Sequence, residues 1–320
     1  MTVIRAYCSI SEPALRERFV WFLQITGRSP ETAKSYLRAL ARFDRFATDN
    51  PLDRSGIDVV HRYVGLRRDQ VRPATVNIEV NALRCWFRWL AQNQPDAWQP
   101  ASLPRCCRVP GRRVWALTDA EVGMLLAAPD LTTYVGFRDH VIMATLYQCG
   151  LRAGELAKLQ VGSILPDGFL IVFGKGNKER LVPIGEHCVG LLHTYLRERG
   201  KLRPGKKNAL FLTVQGHALR DARSVWVIVR KYANALGYGH GGAVAALDAT
   251  ISTKPWTGHY PHRLRTAFAT ELHRRGVNLM ALSQLLGHAS VVTTALYLGI
   301  DMAQLREAVA HHPRSKRVSD

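Results

Sequence analysis

Residues 94–114 read QPDAWQPASLPRCCRVPGRRV, and the four prolines in that run constrain the rest of the chain. Proline removes a backbone donor and clashes with the turn before it, so no helix continues through such a segment. A chain of 320 residues is also too long for one small core and suits two. The expectation is a helical body over residues 1–97 and an extended, positively charged connector over 98–114. A second body over 115–300 and a tail over 301–320 complete the chain.

The first body reads as helical throughout. SPETAKSYLRALARFDRFA opens with Ser29 as an N-cap and Pro30 in the first turn, then sets Tyr36, Leu40, Phe43 and Ala47 at helical spacing. Its other faces carry Lys34, Arg38, Arg42 and Arg45. TVNIEVNALRCWFRWLAQ repeats the scheme, with Ile78, Leu83, Trp86, Phe87 and Leu90 expected inward and Arg84 and Arg88 outward.

Beyond the connector, helices alternate with one small β element. Thr118 and Glu121 form a capping-box pattern, and YVGFRDHVIMATLYQCG reads as an apolar helix ending at Gly150. FLIVFGKGNKERLVPIG holds two strand-like runs, 169–173 and 180–184, around a lysine-bearing turn. Further helices are expected near 187–199, 221–236, 262–275, 279–286 and 301–310, with a glycine- and alanine-rich loop over 237–260.

Charge narrows the partner. Lys and Arg number 44 against 25 Asp and Glu, a formal net charge of +19, while 47% of residues are hydrophobic. That is a folded basic protein and not a cationic tail, and a polyanion, DNA above all, is the expected partner. The six cysteines show no CxxC pair and no metal-ligand spacing, so reduced structural thiols and a cytoplasmic setting are expected. No apolar run approaches the ~20 residues that span a bilayer.

No P-loop, no HExxH and no dense carboxylate cluster of the kind that holds Mg²⁺ is visible, so neither a cofactor nor a metal is expected. What remains is a set of groups suited to a phosphate. CGLRAGELAKL puts Arg152 just after a glycine at the start of a new helix, with Glu155 behind it. GKGNKER puts Lys175 on the hairpin, and Lys178 is a rival in the same turn. PHRLRTAFATELHRRG sets His262 and Arg265 side by side on one helix face, beside an apolar stripe of Leu264, Phe268 and Leu272. LGHASVVTTALYLG adds His288 and Tyr297.

Singly, each of these is unremarkable; Tyr297 alone reads as a core aromatic. Their order, with GLRxxEL, GKGNKER, HxxR and LGHxSxxTTxxY intact, resembles the tyrosine recombinases, also called phage integrases, and within them the Xer type. The resemblance covers nearly the whole chain. It implies a mainly α fold: a helical, SAM-like, core-binding N-terminal domain that grips DNA, and a mixed α/β catalytic domain with a small antiparallel β element.

It also implies a chemistry. Tyr297 would attack a DNA phosphodiester and form a 3′-phosphotyrosyl link, with Arg152 and Arg265 forked onto the non-bridging oxygens. Lys175 would protonate the leaving 5′-oxygen, His262 would take the tyrosine proton or hydrogen-bond the phosphate, and His288 would donate a further hydrogen bond to it. Glu155 is read as a support that orients its neighbours. The implied assembly is a homo-tetramer, or one shared with a related recombinase, on two DNA sites, with the 301–311 helix docked on a neighbouring protomer or packed on its own.

The chain departs from the pattern at Thr266, where a second His often follows the second Arg, and at Leu298 and Gly299 after the tyrosine. The 237–260 loop is longer than in typical Xer-type proteins, which points as much to a mobile-element integrase or resolvase as to a housekeeping role. A nicking-closing topoisomerase and a non-catalytic DNA-binding accessory protein are the alternatives.

Overall fold

The computed structural model describes residues 9–49, 57–97, 100, 102–109, 116–174, 179–201, 208–219, 221–237, 260–288 and 294. The chain divides into two compact units, Met1–Gly111 and Arg112–Asp320. The fold is mainly α with one small sheet.

In the first unit, α1 (Pro13–Ile25), α2 (Pro30–Asp49), α3 (Ile57–Gln70) and α4 (Pro73–Asn93) follow one another. Three of these helices begin on proline, whose missing N–H is unneeded in a first turn. Ser29 caps α2 by accepting the Thr32 N–H at 3.2 Å. Leu40, Phe43 and Ala47 of α2 are buried, as are Leu83, Trp86, Phe87 and Leu90 of α4. Phe19 of α1 meets Trp86 of α4 edge-on at 4.9 Å, and Phe43 of α2 meets Tyr63 of α3 at 5.3 Å and Phe87 of α4 at 6.1 Å, so aromatic edges tie all four helices together.

Ile78 does not point inward: it is 47% exposed, and its neighbour Glu79 is 1% exposed. Successive helical residues point about 100° apart, so only one of the two faces the core squarely. Glu79 takes that place because its carboxylate has partners. Arg67 forks onto both oxygens at 2.9 Å, the Tyr63 hydroxyl donates at 3.0 Å, and Arg42 lies at 3.1 Å. Burial, and then the Glu79 charge, push the Tyr63 phenol up to about 12.

Part of the Pro-rich connector belongs to this unit. The Asn77 side chain donates to the Cys107 carbonyl at 2.9 Å and accepts the Cys107 N–H at 2.6 Å, while Leu103 and Cys107 pack on the core. Residues 102–109 form neither helix nor strand, and this clasp satisfies the Cys107 N–H and C=O where a ladder would otherwise do so.

The second unit runs α5 (Asp119–Ala127), α6 (Tyr134–Cys149), α7 (Ala153–Ala157), β1 (Ile164–Leu165), β2 (Phe169–Phe173), β3 (Glu179–Pro183), α8 (Glu186–Gly200), α9 (Ala222–Ala235), α10 (Tyr260–Arg274) and α11 (Leu279–Leu286). The Thr118–Glu121 capping box opens α5. Helix α6 packs against α5, α7, α8, α9 and α10, which is why it is buried nearly all round, including the Arg138–Asp139 ion pair. Helix α10 lies against α6, α9 and α11.

The sheet is antiparallel in the order β1-β2-β3, with Phe169 opposite Pro183 and Phe173 opposite Glu179. Leu170, Val172 and Val182 face the core. Two strands were expected; β1, two residues long, carries too little pattern to be read, and β3 begins at Glu179, one residue earlier than expected. Lys175, Lys178, most of the 237–260 loop, Tyr297 and the 301–310 helix lie outside the described residues. Among the described residues no helix is long and apolar enough to cross a membrane.

The Glu79 cluster generates a stability prediction for the first unit. Replacing Glu79 with Ala leaves Arg67 facing a buried, unpaired site, and about 3 kcal/mol of stability should be lost, the low end for a broken buried pair because Arg42 reaches solvent. Urea unfolding of the full chain, followed by tryptophan fluorescence, should show an earlier first transition.

Candidate active site

The site begins where α6 ends. Gly150 closes the helix with φ at +59°, and a Cβ there would fall 2.4 Å from the Phe268 ring, so glycine is demanded by both backbone and packing. The chain then turns, and Arg152 becomes the N-cap of α7 in extended conformation. Glu155, three residues on, reaches back to accept the Arg152 N–H at 2.9 Å and its Nη1 at 2.7 Å.

Two further guanidinium groups converge on the same carboxylate. Arg180, second residue of β3, donates from Nη1 and Nη2 to the two Glu155 oxygens at 3.0 and 2.8 Å. Arg265 of α10 places Nη1 3.7 Å from Glu155. Burial pushes the Glu155 carboxyl up, but the hydrogen bonds from Arg180 and the Arg152 N–H, with the guanidinium charges, outweigh it and hold the carboxyl at about 2.

Arg265 is fully buried and spends its donors on the polypeptide: Nη1 on the Gly150 carbonyl at 2.6 Å, Nη2 on the Leu286 carbonyl at 2.5 Å and on His288 Nε2 at 3.0 Å. Its Nε is buried with no hydrogen-bond partner among the described residues. Burial, and next the Arg152 charge, lower its pKa to about 9, so it stays protonated at neutral pH.

His288 follows Gly287, which ends α11 with φ at +61°. Burial and the charges of Arg265 and Arg152 lower the imidazole to about 4, so it is neutral at pH 7. Arginine only donates; His288 Nε2 therefore accepts from Arg265, and Nδ1 carries the proton and donates to Thr294 Oγ1 at 2.9 Å. In this arrangement Nε2 holds no proton to offer a phosphate.

The structure thus brings Arg152, Arg265 and His288 together with Glu155. His262 and Arg265 sit on one helix, but His262 is exposed and Arg265 is not. His262 lines an open cleft of about 470 Å³ with Arg152, Gly154, Arg223, Trp226 and Pro261. Lys175 and Tyr297 fall outside the described residues.

Sequence reasoning passed over Arg180 and Thr294. For Arg180 a signal existed, a charge on a strand whose neighbours alternate with the core, but its partner lies 25 residues away. Thr294 is buried, and only its neighbourhood to LGH marked it.

The pattern of the Phage integrase family matches residues 116–304, and that of the phage integrase N-terminal SAM-like domain matches residues 15–96. The chain belongs to the phage integrase family. Among its relatives are two proteins named tyrosine recombinase XerD. The one from Pseudomonas aeruginosa is 33% identical over 317 residues, covering 96% of this chain and 99% of the relative. The one from Xanthomonas axonopodis pv. citri is 34% identical over 321 residues, covering 95% and 99%.

The recombinase is also similar in fold to two solved structures. The Tn1549 transposon integrase in complex with transposon right end DNA has a TM-score of 0.66 at 17% identity, covering 92% of this chain and 98% of that one. A lambda integrase dimer bound to a COC′ core site has a TM-score of 0.65 at 17% identity, covering 89% and 76%. The chain is an Xer-type tyrosine recombinase, with a SAM-like helical N-terminal domain and a tyrosine recombinase catalytic domain.

The shifted groups make acid destabilising. Unfolded, His288 protonates near 6.5, and folded only near 4, so across that window the unfolded chain binds more protons and stability is lost as the pH is lowered. Glu155 adds a second loss between its ordinary 4.5 and about 2. Thermal melts from about pH 8 to 3 should show both limbs in the parent, whereas Glu155→Gln should start less stable at neutral pH and lack the lower limb.

Proposed function

We propose that Tyr297 opens a DNA strand at a specific site by attacking its phosphodiester. The phenolate oxygen forms a P–O bond, the bond to the 5′-oxygen breaks, and that oxygen leaves as a hydroxyl. The 3′ end remains as a phosphotyrosyl ester until a 5′-hydroxyl, from the same or a partner duplex, reverses the exchange. One phosphate ester replaces another at each step, so no external energy source is required.

The observation that carries the reading is the charge cluster: three guanidinium groups, of Arg152, Arg180 and Arg265, surround one carboxylate, Glu155. The cluster holds two positive charges in excess beside an open cleft, which suits a phosphodiester whose equatorial oxygens gain charge in the transition state. The net charge of +19 suits a long polyanion rather than a small phosphate.

Arg152, with 41% of its side chain exposed, is the guanidinium placed to fork onto the non-bridging oxygens. Arg265, already satisfied by two carbonyls, supplies charge from beneath, with its Nε in reserve. An arriving phosphate lowers the cost of protonating His288, and a proton gained at Nε2 would turn that nitrogen from acceptor to donor. His262, on the cleft wall, is suited to take the Tyr297 proton or to hold the phosphate. Lys175 is assigned the leaving-group proton, with Lys178 its competitor.

The relatives named XerD, and neighbours solved on core-site and transposon-end DNA, support a site-specific recombinase; its assembly as a tetramer on two duplexes and its place in the cytoplasm are part of the proposal.

The decisive experiment traps the covalent complex. The purified protein, mixed with nicked duplexes made from the DNA flanking its gene, should yield a denaturant-resistant protein–DNA band whose 5′ end is a free hydroxyl. Tyr297→Phe should bind the same duplex and give no band; a band from that variant sinks the assignment. Arg152→Lys should cleave roughly 100-fold more slowly or worse, because an ammonium cannot make the planar two-donor contact. Affinity for the duplex should fall steeply with salt as counterions are released, and a flat response would contradict DNA binding through net charge.

A further inference from the structure

Arg180 binds both sides of the phosphate site yet is not among the residues that line the cleft. Its side chain is 15% exposed. Nη1 and Nη2 take one Glu155 oxygen each, and Nε donates to the Leu285 carbonyl at 3.3 Å. Gly287 lies over it: a Cβ at that position would come within 3.1 Å of the Arg180 Cδ, Nε and Cζ atoms. A residue so enclosed is not a phosphate ligand, yet it touches both neighbours of the phosphate site.

One neighbour is Glu155, whose other contacts fix Arg152 through its N–H and its Nη1. The other is the end of α11, where the Leu285 carbonyl, the Leu286 carbonyl held by Arg265, and Gly287 lead directly into His288. Arg152 Nη2 also reaches the Gly287 carbonyl at 3.4 Å. Three segments distant in sequence, 152–155, 180 and 285–288, meet at this one planar group.

We propose that Arg180 is a positioning residue for strand cleavage: by holding the Glu155 carboxylate and the Leu285 carbonyl at once, it sets where Arg152 and His288 stand relative to the scissile phosphate. The task requires a guanidinium. It presents two parallel donors to the carboxylate and a third at an angle to the carbonyl, whereas an ammonium satisfies one side or the other. Without Arg180, Glu155 keeps its bonds to Arg152 but loses the partner that fixes its plane. Arg152 then swings with it. A misplacement of about 1 Å at such a site slows a reaction on the order of 100-fold.

This inference rests on the reading of Arg152 as the clamp on the non-bridging oxygens, and its test separates the two. Cleavage by the full-length protein is measured in single turnover on the duplex recovered by covalent trapping. The same duplex is then used with a methylphosphonate at the scissile position, which removes the non-bridging charge and with it the need for an accurately placed guanidinium. Arg180→Ala should bind the normal duplex with parental affinity and cleave it about 10- to 100-fold more slowly. Each variant compared with the parent on the methylphosphonate duplex, the deficits of Arg180→Ala and Arg152→Ala should both shrink to within about threefold, since neither clamp nor support is then needed.

Arg180→Lys, which keeps the charge and most of the volume, should show the same substrate dependence with a smaller deficit, and it guards against a folding defect in the alanine variant. If the Arg180→Ala and Arg180→Lys deficits persist on the methylphosphonate while that of Arg152→Ala shrinks, Arg180 acts by another route and the positioning role is overturned with the clamp intact. If the Arg152→Ala deficit also persists, the clamp reading itself fails and the positioning role fails with it.

Discussion

A single carboxylate organises the catalytic unit. Glu155 is 5% exposed and binds two guanidinium groups directly, with a third at 3.7 Å. Taking so many ions from water is expensive, and apolar residues of similar volume would give many proteins a more stable core. The arrangement is intelligible only if the charge is needed. Without Glu155 three cations would repel one another; with it they stay together, and on the proposed reading the two positive charges left over attract a phosphate. The low pKa of the carboxyl expresses its positive neighbours, which outweigh its burial, whereas that of Arg265 is lowered first by burial and next by the Arg152 charge.

Glycine makes the cluster possible at two points. Gly150 lets the chain leave α6 in a left-handed turn against the Phe268 ring, which aims its carbonyl at Arg265 and puts Arg152 at the head of α7. Gly287 does the same at the end of α11, where a side chain would press on Arg180. Both were readable from the sequence, since a glycine after an apolar helical run is a stop signal and each is followed within two residues by a polar group. Local rules reached the start of each site segment for that reason. They stopped at Arg180, because nothing in GKGNKER says that its arginine meets residues 25 positions before it and 105 positions after it.

The same limit explains the first unit. An apolar count along α4 favours Ile78 for the core and places Glu79 in solvent, but the helix turns the opposite way because Arg67, Tyr63 and Arg42 stand ready for the carboxylate. A buried ion cluster reverses the hydropathy signal at the position it occupies and at the one beside it. In each unit a buried carboxylate, Glu79 or Glu155, is held by more than one arginine, and sequence patterning passed over Glu79 and the Arg180 partner of Glu155. β2, which alternates and carries no charged residue, followed the simple rule, and α6 followed it apart from the buried Arg138–Asp139 pair.

The hydrogen-bond chain from Leu286 through Arg265 and His288 to Thr294 links the charge cluster to the segment that leads to Tyr297. With the imidazole neutral, the donors run outward from Arg265, to the Leu286 carbonyl on one side and through His288 to Thr294 on the other. A phosphate beside Arg152 alters that balance. It compensates part of the excess charge that keeps His288 unprotonated, and a protonated His288 no longer accepts from Arg265. The two groups then become joint donors to a third partner, and the only new acceptor in reach is the phosphate itself. On the proposed reading, occupancy of the anion site reverses the polarity at the start of the link that holds Thr294, three residues before the nucleophile, and this gives the scissile phosphate a physical means of influencing the segment that attacks it.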